Sequence, residues 1–73
     1  MQIDPELSRQ AVEVAVQKYP SMAEYSARVI YRELFRGGAF LLEYDVQPPR
    51  DHPDAWEFQN AAVRAYQRLS GSK

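Results

Sequence analysis

The stretch Ser21–Gly38, SMAEYSARVIYRELFRGG, decides how the rest of the chain is read. Its opening has the form of a capping box, with Ser21 placed to accept from the Glu24 amide and the Glu24 carboxylate placed to return to the Ser21 amide. Its end is Gly37-Gly38, and glycine takes the left-handed conformation that stops a helix without steric cost. Wound at about 100° per residue, Ala23, Ala27, Ile30, Tyr31 and Leu34 gather on one side. Tyr25, Arg28, Arg32 and Arg36 gather on the other. The spacing thus predicts a two-faced helix over 21–36, with one face for a core and the other an arginine stripe.

Toward the amino terminus, Met1 to Ile3 reads as a frayed end. Asp4-Pro5-Glu6 then reads as a helix start: Asp caps, Pro at the first helical position loses no needed donor, and Glu suits the positive end of the dipole. A first helix over 5–18 follows, with Leu7, Ala11, Val14 and Ala15 at the centre of a wide apolar side. Tyr19-Pro20 makes a tight connection into Ser21, which fits both an αα-hairpin and a helix-turn-helix.

Toward the carboxyl terminus, Phe40, Leu42, Tyr44 and Val46 alternate with Leu41, Glu43 and Asp45, the pattern of a strand over 39–46. The rival reading is a short helix with Phe40, Leu41 and Tyr44 on one side. A strand there needs a partner, and with 21–36 assigned to a helix the partner expected is the same segment of a second copy. Gln47 to Pro53 is a proline-rich connector. Asp51 or His52 is expected to cap a last helix over 53–69, with Pro53 at its first position and Trp56 and Val63 at the margin of its apolar side. Residues 70–73 read as a tail. The expectation is a mainly α, three-helix domain with an extended or short helical segment between helices two and three.

Composition narrows the function. The chain has 73 residues and no cysteine, so disulfides and thiolate metal sites are excluded and a small core must be stabilised by close packing or association. Nine Lys+Arg stand against ten Asp+Glu, which removes the general basic field common in nucleic-acid binders. No apolar run approaches the roughly 20 residues of a membrane span, and MQIDPEL is not a signal sequence. The expectation is a cytoplasmic protein without membrane partners.

Three features are candidates for a site. Tyr25, Arg28, Arg32 and Arg36 suit phosphates or an acidic protein surface, or form a solvated face in which Glu24 pairs with Arg28. Asp51-His52-Pro53-Asp54 gathers the only histidine with two carboxylates, yet lacks the further ligands or nucleophile that a metal or catalytic site needs. Helix capping accounts for it. Five tyrosines, three phenylalanines and one tryptophan are a heavy load for so small a core, and Tyr25, Phe40, Tyr44 and Trp56 are expected to mark a partner surface.

The segment Asp4–Leu34, DPELSRQAVEVAVQKYPSMAEYSARVIYREL, resembles the helix-turn-helix-like stretch near the carboxyl end of DnaD-type replication proteins. The likeness lies in the acidic-Pro start and a later Tyr on the second helix. It covers less than half of the chain, and Phe35-Arg36-Gly37-Gly38 stands where that family has a tryptophan, so no function is carried over. The sequence therefore points to a non-enzymatic regulatory or accessory protein, without cofactor or metal. It would bind another protein through Tyr25, Arg28, Arg32, Arg36, Phe40, Tyr44 and Trp56, and assemble as a homodimer. The alternative is a helix-turn-helix-like DNA binder using the arginine face.

Overall fold

The structure, a computed structural model, describes residues 2–71, and for Leu34 the backbone only. The expected frayed end at Met1 and the last two residues of the expected tail lie outside the described residues. The order of elements is α1 (Pro5–Lys18), a short 3₁₀ turn (Pro20–Met22), β1 (Ala27–Leu34), β2 (Gly37–Tyr44) and α2 (Ala55–Gly71). The two strands form an antiparallel hairpin. The helices pack on each other and on one side of the hairpin, in a body 30 × 29 × 18 Å whose short dimension is that of one helix layer on one sheet layer.

The three-helix expectation is overturned. The fold is α+β, and residues 27–34, expected within a helix over 21–36, form a strand. The capping box does not form either: the Ser21 hydroxyl donates to the Asp54 carboxylate, holding the 3₁₀ turn to the approach of α2. The strand near 39–46 is present, shifted to 37–44, and its partner is β1 of the same chain rather than a second copy.

Pairing sets Ala27, Val29 and Tyr31 opposite Tyr44, Leu42 and Phe40, and Arg28, Ile30 and Arg32 opposite Glu43, Leu41 and Ala39. Successive side chains point to opposite faces, so the first set forms an inner face against the helices and the second an outer face. Two residues, Phe35 and Arg36, join the strands. Primed turns need positive φ at the central residues, and among the described residues only Gly37, at φ 129°, has one. The chain therefore reverses with both central residues at negative φ and places the positive angle on the glycine that follows, which adopts it without steric cost. Gly38 is needed for a different reason, since a Cβ there would sit 1.7 Å from the Tyr31 hydroxyl. The Tyr31 ring lies across it.

The two expected outer helices form near their predicted limits. Asp4 caps α1, its Oδ1 accepting from the amides of Glu6 at 2.9 Å and Leu7 at 3.3 Å, with Pro5 in the first turn. α2 starts at Ala55, two residues later than expected, because the Asp54 carbonyl accepts the first helical bond from the Phe58 amide at 2.8 Å. It continues through Ser70 and Gly71, so those residues are helix and not tail. Alanines 11, 15, 62 and 65 are buried where the helices meet, and such small side chains allow close approach of the axes. The larger volume is supplied by Phe58, Met22 and Val29, all fully enclosed. Tyr66 closes the far end, its hydroxyl accepting from the Asp4 amide at 3.1 Å. No helix of the described residues is long and apolar enough to cross a membrane.

Candidate functional site

The outer face of the hairpin carries two of the arginines read as a stripe. Arg28 and Arg32 are four residues apart, an even number, so they project from the same side of a strand about 13 Å from each other. Arg36 stands at the turn instead. Arg28 is engaged, its guanidinium 2.9 Å from Glu43 and 3.3 Å from Asp45. Arg32 and Arg36 are exposed and have no ion-pair partner among the described residues. Between Arg28 and Arg32 lies a cross-strand pair, Ile30 and Leu41, half-buried and outside the hydrophobic core cluster. Phe35 at the tip is 96% exposed. From base to tip the face thus runs from two carboxylates against one arginine, through an apolar middle, to two unpaired arginines and a free phenyl ring.

The expected aromatics do not join this face. Tyr25 is half-buried and meets His52 edge-on, with ring centroids 5.7 Å apart. Phe40 packs between Tyr31 and Tyr66, each 5.3 Å away, and Tyr44 lies against Phe58 at 6.5 Å, all on the inner side. Burial pushes the Tyr44 phenol above its ordinary pKa. Tyr19 donates its hydroxyl to Glu57 at 3.2 Å, and burial, helped by that carboxylate, raises its pKa as well. Trp56 alone of the expected set is largely exposed, at 69%. It borders a cleft between the helices with Val14, Lys18 and Arg64, away from Arg28, Arg32 and Arg36. The residues missed in the sequence are Ile30, Leu41 and Phe35. A helix over 21–36 puts Ile30 on a core face, and the signal against it is the unbroken run Val29-Ile30-Tyr31 of β-branched and aromatic residues, which favours a strand.

A second feature borders the free edge of β1. A groove of about 600 Å³ runs along α1 and that edge, lined by Ile3, Pro5 and Val12 on the helix side and by consecutive residues of β1 on the other, Arg28 and Ile30 of the outer face among them. The Val29 amide donates to the Ser8 hydroxyl at 2.9 Å, and Ser8 is buried. At the rim, Arg9 is paired with Glu6 and with Glu13. The Arg9 hydrogen bond to Glu6 holds that carboxyl below its ordinary pKa.

No family model, curated protein or solved structure matches the chain. The likeness of residues 4–34 to the DnaD-type stretch relied on a second helix, and residues 27–34 are a strand. His52 accepts the Asp54 amide at Nδ1, 3.2 Å away, and its carbonyl accepts from Ala55. It thereby shapes the turn that leads into α2, but the residue at the cap position is Asp54, not Asp51 or His52 as expected, and Pro53 lies before the helix. Among the described residues no three His, Asp or Glu side chains are grouped to hold a metal ion.

Proposed function

We propose that this chain is a non-enzymatic accessory protein that acts by binding another protein through the outer face of its hairpin. The observation that carries the reading is the Ile30–Leu41 pair set on a sheet face that neither helix covers, flanked by Arg32 and by the exposed Phe35. An apolar centre inside a charged rim is the usual anatomy of a protein interface. A nucleic-acid reading has less support. The recognition helix it required is a strand, Arg28 is already matched by carboxylates, and the formal charge is −1.

The homodimer belongs to the same proposal. The base of the face, with Glu43 and Asp45 against Arg28, complements the tip, with Arg32 and Arg36, so two copies stacked in opposite directions would match charge with charge across a two-fold axis. A photo-crosslinking side chain at Leu41, compared with one at the exposed Gln17, tests the surface. Capture of a protein partner from Leu41 alone, lost in the Ile30→Thr, Arg32→Glu double variant while the far-ultraviolet circular dichroism is unchanged, is the expected result. Equal capture from both positions would discard the outer face.

A further inference from the structure

We infer that the groove beside β1 is a receptor for one extended segment of another polypeptide, which adds to the sheet as a third strand beneath α1. The proposal rests on the backbone groups of the hairpin edge; the groove shares Arg28 and Ile30 with the outer face but not Leu41, Arg32 or Phe35.

The backbone pattern sets the chemistry. In an antiparallel pair, residues whose N–H and C=O point to the partner alternate with residues whose groups point away. The Asp45 amide donates to the Ser26 carbonyl at 2.9 Å, placing Ser26 and its even-numbered followers in bonded pairs. The Val29 amide, in contrast, leaves the hairpin to reach Ser8. Ala27, Val29 and Tyr31 therefore direct their backbone groups into the groove. Among the described residues the Val29 amide is the only one of these groups with a hydrogen-bond partner in the chain. The Ser8 hydroxyl stands where the carbonyl of a neighbouring strand would stand.

The layer widths say what can fit. Helices pack with axes about 9 Å apart, whereas strands are spaced about 4.8 Å, so two helices roof about four strands. Here they roof two, and on the α1 side the shortfall is the groove. An incoming strand slides under the overhang, supplies a carbonyl to Val29 in place of Ser8, and pairs with Ala27 and Tyr31. Main-chain bonds of this kind give affinity, and alternate side chains against Ile3 and Val12 give selectivity. The occupant carries no acidic side chain, since Arg9 is already held by Glu6 and Glu13, and Arg28 by Glu43 and Asp45, which leaves no free cation at the rim among the described residues. A second copy is not suited to the slot. Antiparallel β1–β1 pairing would bring four helices to one side of four strands, needing about twice the available width.

The test is an NMR titration of the full chain with a capped, uncharged heptapeptide of alternating valine and threonine, and with the same peptide N-methylated at alternate amides. The expected result is saturable shifts and slowed hydrogen exchange at Ala27, Val29 and Tyr31, with the methylated peptide weaker by about fivefold for each donor removed. Ala27→Pro removes an outward amide without touching the ladder and is expected to weaken binding by a similar factor, whereas Arg32→Glu leaves it unchanged. No saturable shift up to about 1 mM peptide, equal binding of the methylated peptide, or shifts confined to the outer face would overturn the proposal. So would peptide-free dimerisation that protects residues 27–31.

Discussion

The two faces of the hairpin are made of nearly the same material. On the inner face Val29 lies opposite Leu42, and on the outer face Ile30 lies opposite Leu41. Val29 and Leu42 are buried, whereas Ile30 and Leu41 are half-buried and stand apart from the core. Nothing intrinsic to a β-branched residue paired with a leucine distinguishes the faces; what lies over each one does. A two-stranded hairpin is marginal alone in water, so its order is borrowed through the face that meets Phe58, Met22 and Tyr66. The outer pair stands outside that packing.

The largest test of that division removes the side chain that fills the inner face from α2. Phe58→Ala takes away a fully buried ring and its contact with Tyr44, and is expected to cost about 3–5 kcal/mol. That is much of the stability available to a small domain. Leu41→Ala, read in the same urea titration followed by circular dichroism, is expected to cost less than about 1 kcal/mol. Similar losses would mean that the outer face is covered in the isolated chain and would erase the contrast.

A smaller effect concerns Gly38, which leaves room for the Tyr31 ring on the inner face. Gly38→Ala forces that ring aside and disturbs its edge contact with Phe40, at an expected cost of about 1–2 kcal/mol. In a Tyr31→Ala background the same change should cost little, giving a coupling of about 1 kcal/mol in a double-mutant cycle. Independent effects of the two substitutions would show that the ring and the glycine do not share that space in solution.

The same residues explain how far the fold was legible. Asp4-Pro5-Glu6 carries a local instruction, because a cap, a first-turn proline and an acidic first turn all act within a few residues, and α1 has the limits they predict. Residues 27–34 carry an ambiguous one. A spacing of four is close to one helical turn and is also two strand repeats, so Arg28 and Arg32 share a side in either structure, as do Ala27 and Tyr31. Only the intervening residues separate the two readings. Val29, Ile30 and Tyr31 are β-branched and aromatic, types that favour strands, whereas the Ser21-to-Glu24 spacing and the glycine pair point to a helix. The turn gave little warning, since Phe35-Arg36 is not an Asn-Gly type of dipeptide and the conformational demand falls on Gly37. Of the expected site, the arginines keep a common face through Arg28 and Arg32. The aromatics do not join it, because Phe40 and Tyr44 alternate with Leu41 and Glu43 and are turned inward.

The smallest expected effect is a dependence on alkaline pH, and it probes the inner face at its base. Tyr44 is half-buried there, and burial raises its pKa because the phenolate would lose hydration. The unfolded chain ionises near pH 10, so between the unfolded and the raised folded pKa the native state binds more protons. Stability contributed by this group is therefore complete below about pH 10 and is lost as pH rises through the folded pKa. Tyr44→Phe keeps the ring and abolishes the ionisation, so its urea midpoint should fall less between about pH 8 and pH 11 than that of the parent chain. It should not become independent of pH. Burial also raises the pKa of Tyr19, with Glu57 contributing, and that of Tyr25, with Glu24 contributing. An unchanged alkaline loss in Tyr44→Phe would mean that water reaches the phenol in the native state, and with it the base of the face on which the hairpin depends.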